Sequence, residues 1–183
     1  RKGNTCDAYR LQGLQKKLRD MQVTLHQWDC PRGISSVKQC CRAYAQLAGL
    51  AACCGFDWMH CHSPVGGALA RIVAHRYGIP VVYTAHGFHF YKGAPLLNWL
   101  LYYPAEKLLS YWTDVLVTVN REDYRLAKRR FRAGRVCYIP GVGIDPESLR
   151  VCGRQRDPAG LRKQYVIPDE ALLLLSVGEL SRR

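Results

Sequence analysis

Apolar residues recur along the chain with two alternating periods. Residues 8–21 place Leu11, Leu14 and Leu18 on one helical face with Lys16, Lys17 and Arg19 elsewhere, which predicts an amphipathic helix. Residues 23–28 alternate as a short strand would. After Pro31, Gly33 and the Ser35-Ser36 pair, residues 37–54 read as a helix stopped by Gly55. A short strand is predicted at 56–61, a helix at 66–77 closed by Gly78, and a buried strand at 80–85. Residues 86–95 read as a loop, 96–112 as an aromatic helical stretch interrupted at Pro104, and 114–119 as a fourth strand. Asn120 is placed to cap the next helix, with Asp123 at its N3 position. A strand at 135–139, a glycine-rich turn at 140–143, a helix at 157–165 and a last strand at 171–177 complete the pattern.

Strand and helix alternating at this spacing predict an α/β fold, a doubly wound, mostly parallel, Rossmann-like sheet covered on both faces. Ligands of such sheets bind at the carboxyl ends of the strands, so the chemistry is sought in the loops around residues 60–67, 84–93, 118–122 and 139–145.

Composition narrows the class. The 183 residues are 48% hydrophobic and 22% charged, a globular balance, and no apolar run approaches the ~20 residues of a spanning helix. Residues 1–11 carry no signal-like apolar stretch and open on Arg, so the native start is expected upstream. With 27 Lys and Arg against 14 Asp and Glu, the net charge is +13, and the basic density peaks at residues 121–135. That surplus fits phosphate-bearing partners or a solvated basic face. Nine cysteines include Cys40-Cys41 and Cys53-Cys54 but no Cys-x-x-Cys spacing, so reduced thiols of a cytoplasmic protein are expected. His60 and His62 would share one face of a strand, yet no second ligand cluster follows, and no metal site or resident cofactor is expected. A nucleic-acid-binding domain is disfavoured by the lack of any recognition motif. A dinucleotide-dependent oxidoreductase is disfavoured because no Gly-x-Gly-x-x-Gly follows a strand.

Three loops are specific when taken together: His-Cys-His-Ser-Pro-Val-Gly-Gly at 60–67, Tyr-Thr-Ala-His-Gly-Phe-His-Phe-Tyr-Lys-Gly-Ala-Pro at 83–95, and Ile-Pro-Gly-Val-Gly-Ile-Asp at 139–145. They resemble the first domain of a retaining family-four glycosyltransferase of the two-domain GT-B architecture, of the bacterial capsular, exopolysaccharide or lipid-linked glycan type. Ser-Val-Gly-Glu-Leu-Ser-Arg-Arg at 176–183 resembles the opening of that family's second domain. The resemblance implies an acceptor-side domain over residues 1–150, lacking its first strand, and a linker and first strand of a nucleotide-sugar-binding domain over 151–183. The glycine-rich loop near the family's first strand has no counterpart at residues 1–11, and Glu179 stands where many relatives carry Arg.

The resemblance implies transfer of a sugar from a nucleotide-sugar donor to a glycan or polyprenyl-diphosphate-linked acceptor, with no carboxylate nucleophile needed. His86 is the expected catalytic residue beside the donor sugar. His62, Ser63, Gly87, His89, Tyr91, Lys92 and Asn120 are expected to line the acceptor side. Gly66, Gly67, Gly141, Gly143, Arg182 and Arg183 are expected on the phosphate side, although the Gly66-Gly67 pair suits tight helix packing equally well. Trp99 and Trp112 suit either a membrane interface or a core. Arg125, Lys128, Arg129 and Arg132 fall on one helical stripe that suits anionic headgroups or plain solvent. A place at the inner face of the cell membrane follows as an expectation. A non-catalytic carbohydrate- or phosphate-binding domain is the alternative reading.

Overall fold

The computed structural model describes residues 8–31, 33, 36–141, 143–154 and 157–174. The chain divides into two units, residues 1–142 and 143–183. In the first, helices α1 (Ala8–Asp20) and α2 (Val37–Cys53) precede strand β1 (Met59–His62), helix α3 (Pro64–Tyr77), strand β2 (Val81–Ala85), helix α4 (Leu96–Leu109), strand β3 (Val115–Thr118), helix α5 (Arg121–Arg130) and strand β4 (Arg135–Tyr138). The second unit holds α6 (Pro146–Arg154) and α7 (Pro158–Gln164).

The four strands form one parallel sheet in the order β1-β2-β3-β4, flanked by helices, which is the Rossmann-like α/β architecture the periodicity predicts. Register aligns Cys61, Tyr83, Leu116 and Val136 across the sheet. The first three are buried, and Val136 packs against them. Ala70 and Ala74 of α3, Ala127 of α5, and Phe88, Phe90 and Phe131 join this core. On the other face His60 and His62 are exposed, while Val115 and Val117 are half-buried.

Local chemistry explains the elements. Asn120 Oδ1 accepts from the Asp123 amide at 2.8 Å, while Glu122 and Asp123 in the first turn of α5 and Lys128, Arg129 and Arg130 in its last complement the helix dipole. Gly78 closes α3 in the left-handed conformation.

Several expectations change. Residues 23–28 form no strand. The end of this segment is tied to α2 instead: Trp28 Nε1 donates to the Ala43 carbonyl, and the Asp29 amide donates to Gln46 Oε1. Pro104 does not interrupt α4, because the missing N–H frees only the carbonyl of Leu100, which lies on the exposed side. The helix tightens into a 3₁₀ turn at Ser110–Trp112. Residues 171–174 form no strand, and the rest of that expected strand lies outside the described residues, as do Glu179, Arg182 and Arg183.

Candidate active site

The carboxyl ends of β1 and β2 bring two imidazoles together. His62 Nδ1 and His86 Nε2 lie 3.0 Å apart, and the two rings meet edge to edge with centroids at 5.3 Å. His60, two residues back on β1, packs its ring against His62 at 4.4 Å with the planes tilted by 42°, and its Nε2 meets the hydroxyl of buried Thr84 at 2.9 Å. Trp58 continues the row at 6.0 Å from His60. The alternation of β1 puts His60 and His62 on one face, and the pairing of His62 with Thr84 sets His86 just beyond β2. Partial burial lowers the His62 pKa, and neighbouring His60 and His86 lower it further, which favours its neutral form.

The loop carrying His86 is fixed from below. Phe88 and Phe90 turn into the core and stack on each other at 4.9 Å. The Phe88 amide donates to buried Asp123 Oδ2 at 3.0 Å, and the Lys92 amide donates to Glu122 Oε1. Asn120 Nδ2 also donates to Asp123 Oδ2, so both polar atoms of the Asn120 amide are engaged within the cap. Asn120 therefore positions the loop. His89 stacks on Tyr102 at 4.6 Å, Tyr91 and Lys92 are exposed, and Gly87 has a φ of 143°, a conformation that favours glycine.

The glycines at 66 and 67 have packing reasons. A Cβ on Gly67 would lie 2.6 Å from the Tyr83 ring, and one on Gly66 would lie 2.9 Å from Ser63 Oγ and 3.4 Å from Trp28. Ser63 itself is left-handed, with φ 66°, where β1 turns into α3. Gly141, with φ 67°, turns the chain after β4, and Gly143 opens the second unit with open space about its Cα.

Beneath the site lies a buried ion pair that sequence reasoning missed. Arg71 Nη1 donates to Glu106 Oε2 at 2.9 Å, Nε donates to the Gly67 carbonyl, and the guanidinium lies 4.0 Å from the Tyr83 ring centre. Arg71 is 1% exposed, and its Nη2 has no partner among the described residues. Burial pushes the Cys61 thiol up to about 11 despite the nearby Arg71 charge, so it stays protonated.

The expected membrane-facing residues fall differently. Trp99 is half-buried against Phe90, and Trp112 stacks on His75 at 4.7 Å. The exposed apolar surface of α4 is instead Leu96, Leu97, Leu100, Leu101 and Leu108. Arg125 and Arg129, with Arg130, line a cleft of about 460 Å³ beside Trp99 and Tyr103. Lys128 reaches Tyr124, and Arg132 leaves the stripe because α5 ends at Arg130.

Comparison with known proteins shows the family. Residues 5–141 match the glycosyl transferase 4-like domain. The chain is 46% identical over 145 residues to a Bacillus subtilis (strain 168) protein that bears the name glycosyltransferase EpsD, covering 75% of this chain and 37% of that protein. It is 25% identical over 133 residues to the D-inositol 3-phosphate glycosyltransferase of Acidothermus cellulolyticus (strain ATCC 43068 / DSM 8971 / 11B), covering 68% of this chain and 28% of that enzyme. The chain thus spans about a third of the length of these relatives. It belongs to the glycosyl transferase 4-like family.

Proposed function

We propose that this chain supplies the acceptor-side wall of a GT-B glycosyltransferase acting in the synthesis of a bacterial capsular, exopolysaccharide or lipid-linked glycan. The donor is a nucleotide sugar, and the acceptor is a glycan or polyprenyl-linked glycan. The observation that carries this reading is the His62–His86 pair at the carboxyl edge of the sheet, on a loop clamped by Asp123. In the proposed reaction the bond from the anomeric carbon to the departing diphosphate breaks. A bond from the acceptor oxygen forms on the same face, and the acceptor proton passes to a phosphate oxygen. His86 hydrogen-bonds the transferred sugar, and no carboxylate of this chain serves as nucleophile. The nearest ones have other work: Asp123 and Glu122 hold the loop, and Glu106 neutralises Arg71.

The exposed leucines of α4 and the arginine-lined cleft against Trp99 and Tyr103 support a seat on an anionic membrane surface at its inner face. Among the described residues no helix is long and apolar enough to cross a membrane.

The reading is tested with the chain alone and with a chimera in which it replaces the matching segment of the EpsD relative. Each is incubated with a panel of radiolabelled nucleotide sugars and lipid-linked acceptors. Product is expected from the chimera and none from the chain alone, because positioning across a two-walled cleft supplies much of the rate. A chimera that transfers nothing, beside an active parent, contradicts the reading.

A further inference from the structure

We propose that the cleft between α4 and α5 is a discrete site for the diphosphate end of a lipid-linked acceptor, one polyprenyl diphosphate per chain. The proposal rests on the reading above, in which the acceptor is lipid-linked, and it gives that carrier a place outside the histidine edge. The cleft, of about 460 Å³, is lined by Trp99 and Tyr103 from α4 and by Arg125, Leu126, Arg129 and Arg130 from α5. No carboxylate is among these lining residues. The three arginines are exposed, and their guanidinium groups take part in no hydrogen bond or ion pair among the described residues. The acids at the start of α5 are turned to other partners. Glu122 accepts from the Lys92 amide, and Asp123 accepts from the Phe88 amide and the Asn120 side chain. Three positive charges gathered without counter-ions repel one another, and an anion entering the cleft relieves that repulsion.

Charge and walls together select the ligand. A glycan-bearing lipid diphosphate carries two negative charges on adjacent phosphates, and guanidinium forks match phosphate oxygens in pairs. A phosphodiester headgroup with one phosphate offers half that charge. The opposite wall is aromatic: the Trp99 and Tyr103 rings lie 5.8 Å apart, and buried Phe90 backs them at 5.6 and 5.5 Å. Leu96 stands three residues before Trp99, and Leu100 three before Tyr103, so each leucine adjoins one of these rings on the helix surface. Leu96 is 74% exposed and Leu100 63%. An apolar chain leaving the diphosphate therefore has a continuous path from the rings onto the leucines. A nucleotide, with a polar ribose in that position, gains nothing from them.

The cleft also shares an element with the candidate active site. Arg125 is two residues past Asp123 on α5, about 3 Å along the helix axis, and Arg129 six residues past it, about 9 Å. Asp123 holds the loop that carries His86. One helix thus sets both the lipid head and the loop that meets the sugar.

The test titrates the whole 183-residue chain calorimetrically with farnesyl diphosphate, a short water-soluble isoprenoid. Inorganic pyrophosphate, farnesyl phosphate, farnesol and UDP are the comparisons. One farnesyl diphosphate per chain is expected, bound about tenfold or more tighter than each comparison, the scale of one charge-assisted hydrogen bond. Arg125→Gln and Arg129→Gln should each weaken it about tenfold. Leu96→Ser with Leu100→Ser should weaken farnesyl diphosphate and leave pyrophosphate unchanged. Arg121→Gln, on the same helix outside the cleft, should change nothing. Pyrophosphate or UDP bound as tightly as farnesyl diphosphate overturns the lipid assignment. Binding unmoved by the arginine variants overturns the site, as does binding to phosphatidylglycerol vesicles without binding to farnesyl diphosphate, which marks a plain anionic surface. In the chimera, the same arginine variants should raise KM for a lipid-linked acceptor and leave KM for the nucleotide sugar unchanged. An active chimera whose acceptor KM does not move overturns this inference and leaves the proposed function standing. A chimera that transfers nothing contradicts the proposed function, and the titration then judges the cleft by itself.

Discussion

Arg71 is a cation with almost no contact with water, and its stability depends on one carboxylate. Glu106 neutralises it, the Gly67 carbonyl takes Nε, and the Tyr83 face takes the guanidinium plane. Replacing Glu106 with Gln keeps the shape and removes the charge, leaving Arg71 buried without a counter-ion. Breaking such a pair costs about 3–5 kcal/mol. Urea unfolding of Glu106→Gln should report a loss of that size, and a loss below about 1 kcal/mol would show that Arg71 is not buried as described. The sequence did not disclose this pair. In Gly-Gly-Ala-Leu-Ala-Arg an arginine reads as a solvent-facing helix residue, and its partner lies 35 positions on. The Gly66-Gly67 pair was visible as a pair, whereas its reason, contact with the Tyr83 ring and Trp28, depends on distant side chains.

Among the elements, α5 does two separate jobs. Its first turn carries Asp123, which is 3% exposed and accepts from both the Asn120 side chain and the Phe88 amide. Asp123→Ala leaves the Phe88 N–H buried without an acceptor, at about 1–3 kcal/mol. Amide exchange at Phe88 and Phe90 should quicken far more than at Leu116 in the sheet, and uniform quickening would mean the loop is not held there. It also carries Arg125, Arg129 and Arg130, which line a cleft with Trp99 and Tyr103 of α4. The chain should sediment with anionic vesicles, less so in high salt, which screens charges beyond about 8–10 Å. Arg125→Glu with Arg129→Glu should abolish this binding, and equal sedimentation with neutral vesicles would contradict a role for the arginines.

These two elements also mark the limit of what the pattern reveals. The cap at Asn120 was legible because its partner is three residues away, and β2 and β3 were legible as apolar runs bounded by polar ends. Residues 23–28 alternate like a strand but form none, and Trp28 and Asp29 bond to α2 instead of to a neighbouring strand. The aromatic density of α4 was evident, but not that Trp99 and Tyr103 turn inward while the leucines face out. A helix that is apolar all round does not say which side is covered.

At the scale of the molecule, the surplus of 13 positive charges favours approach of phosphate-bearing ligands, and the sheet edge collects the histidines that would meet the sugar. The strand pattern alone directs the search for chemistry to four loops, those around 60–67 and 84–93 among them. That His62 and His86 touch follows only from the register of β1 on β2. Because His62 binds its proton less readily in the folded chain than when unfolded, the unfolded state takes up more protons as pH falls through the usual histidine range. Folding is therefore favoured above that range and weakened below it. The central claim is that this paired imidazole edge serves sugar transfer. It is tested most directly by the rate of the chimera carrying His86→Ala against the unsubstituted chimera, with circular dichroism to verify folding. The account predicts a folded protein with turnover lowered about a hundredfold or more, on the scale of lost electrostatic stabilisation in an active site; turnover unchanged in a folded protein would contradict it.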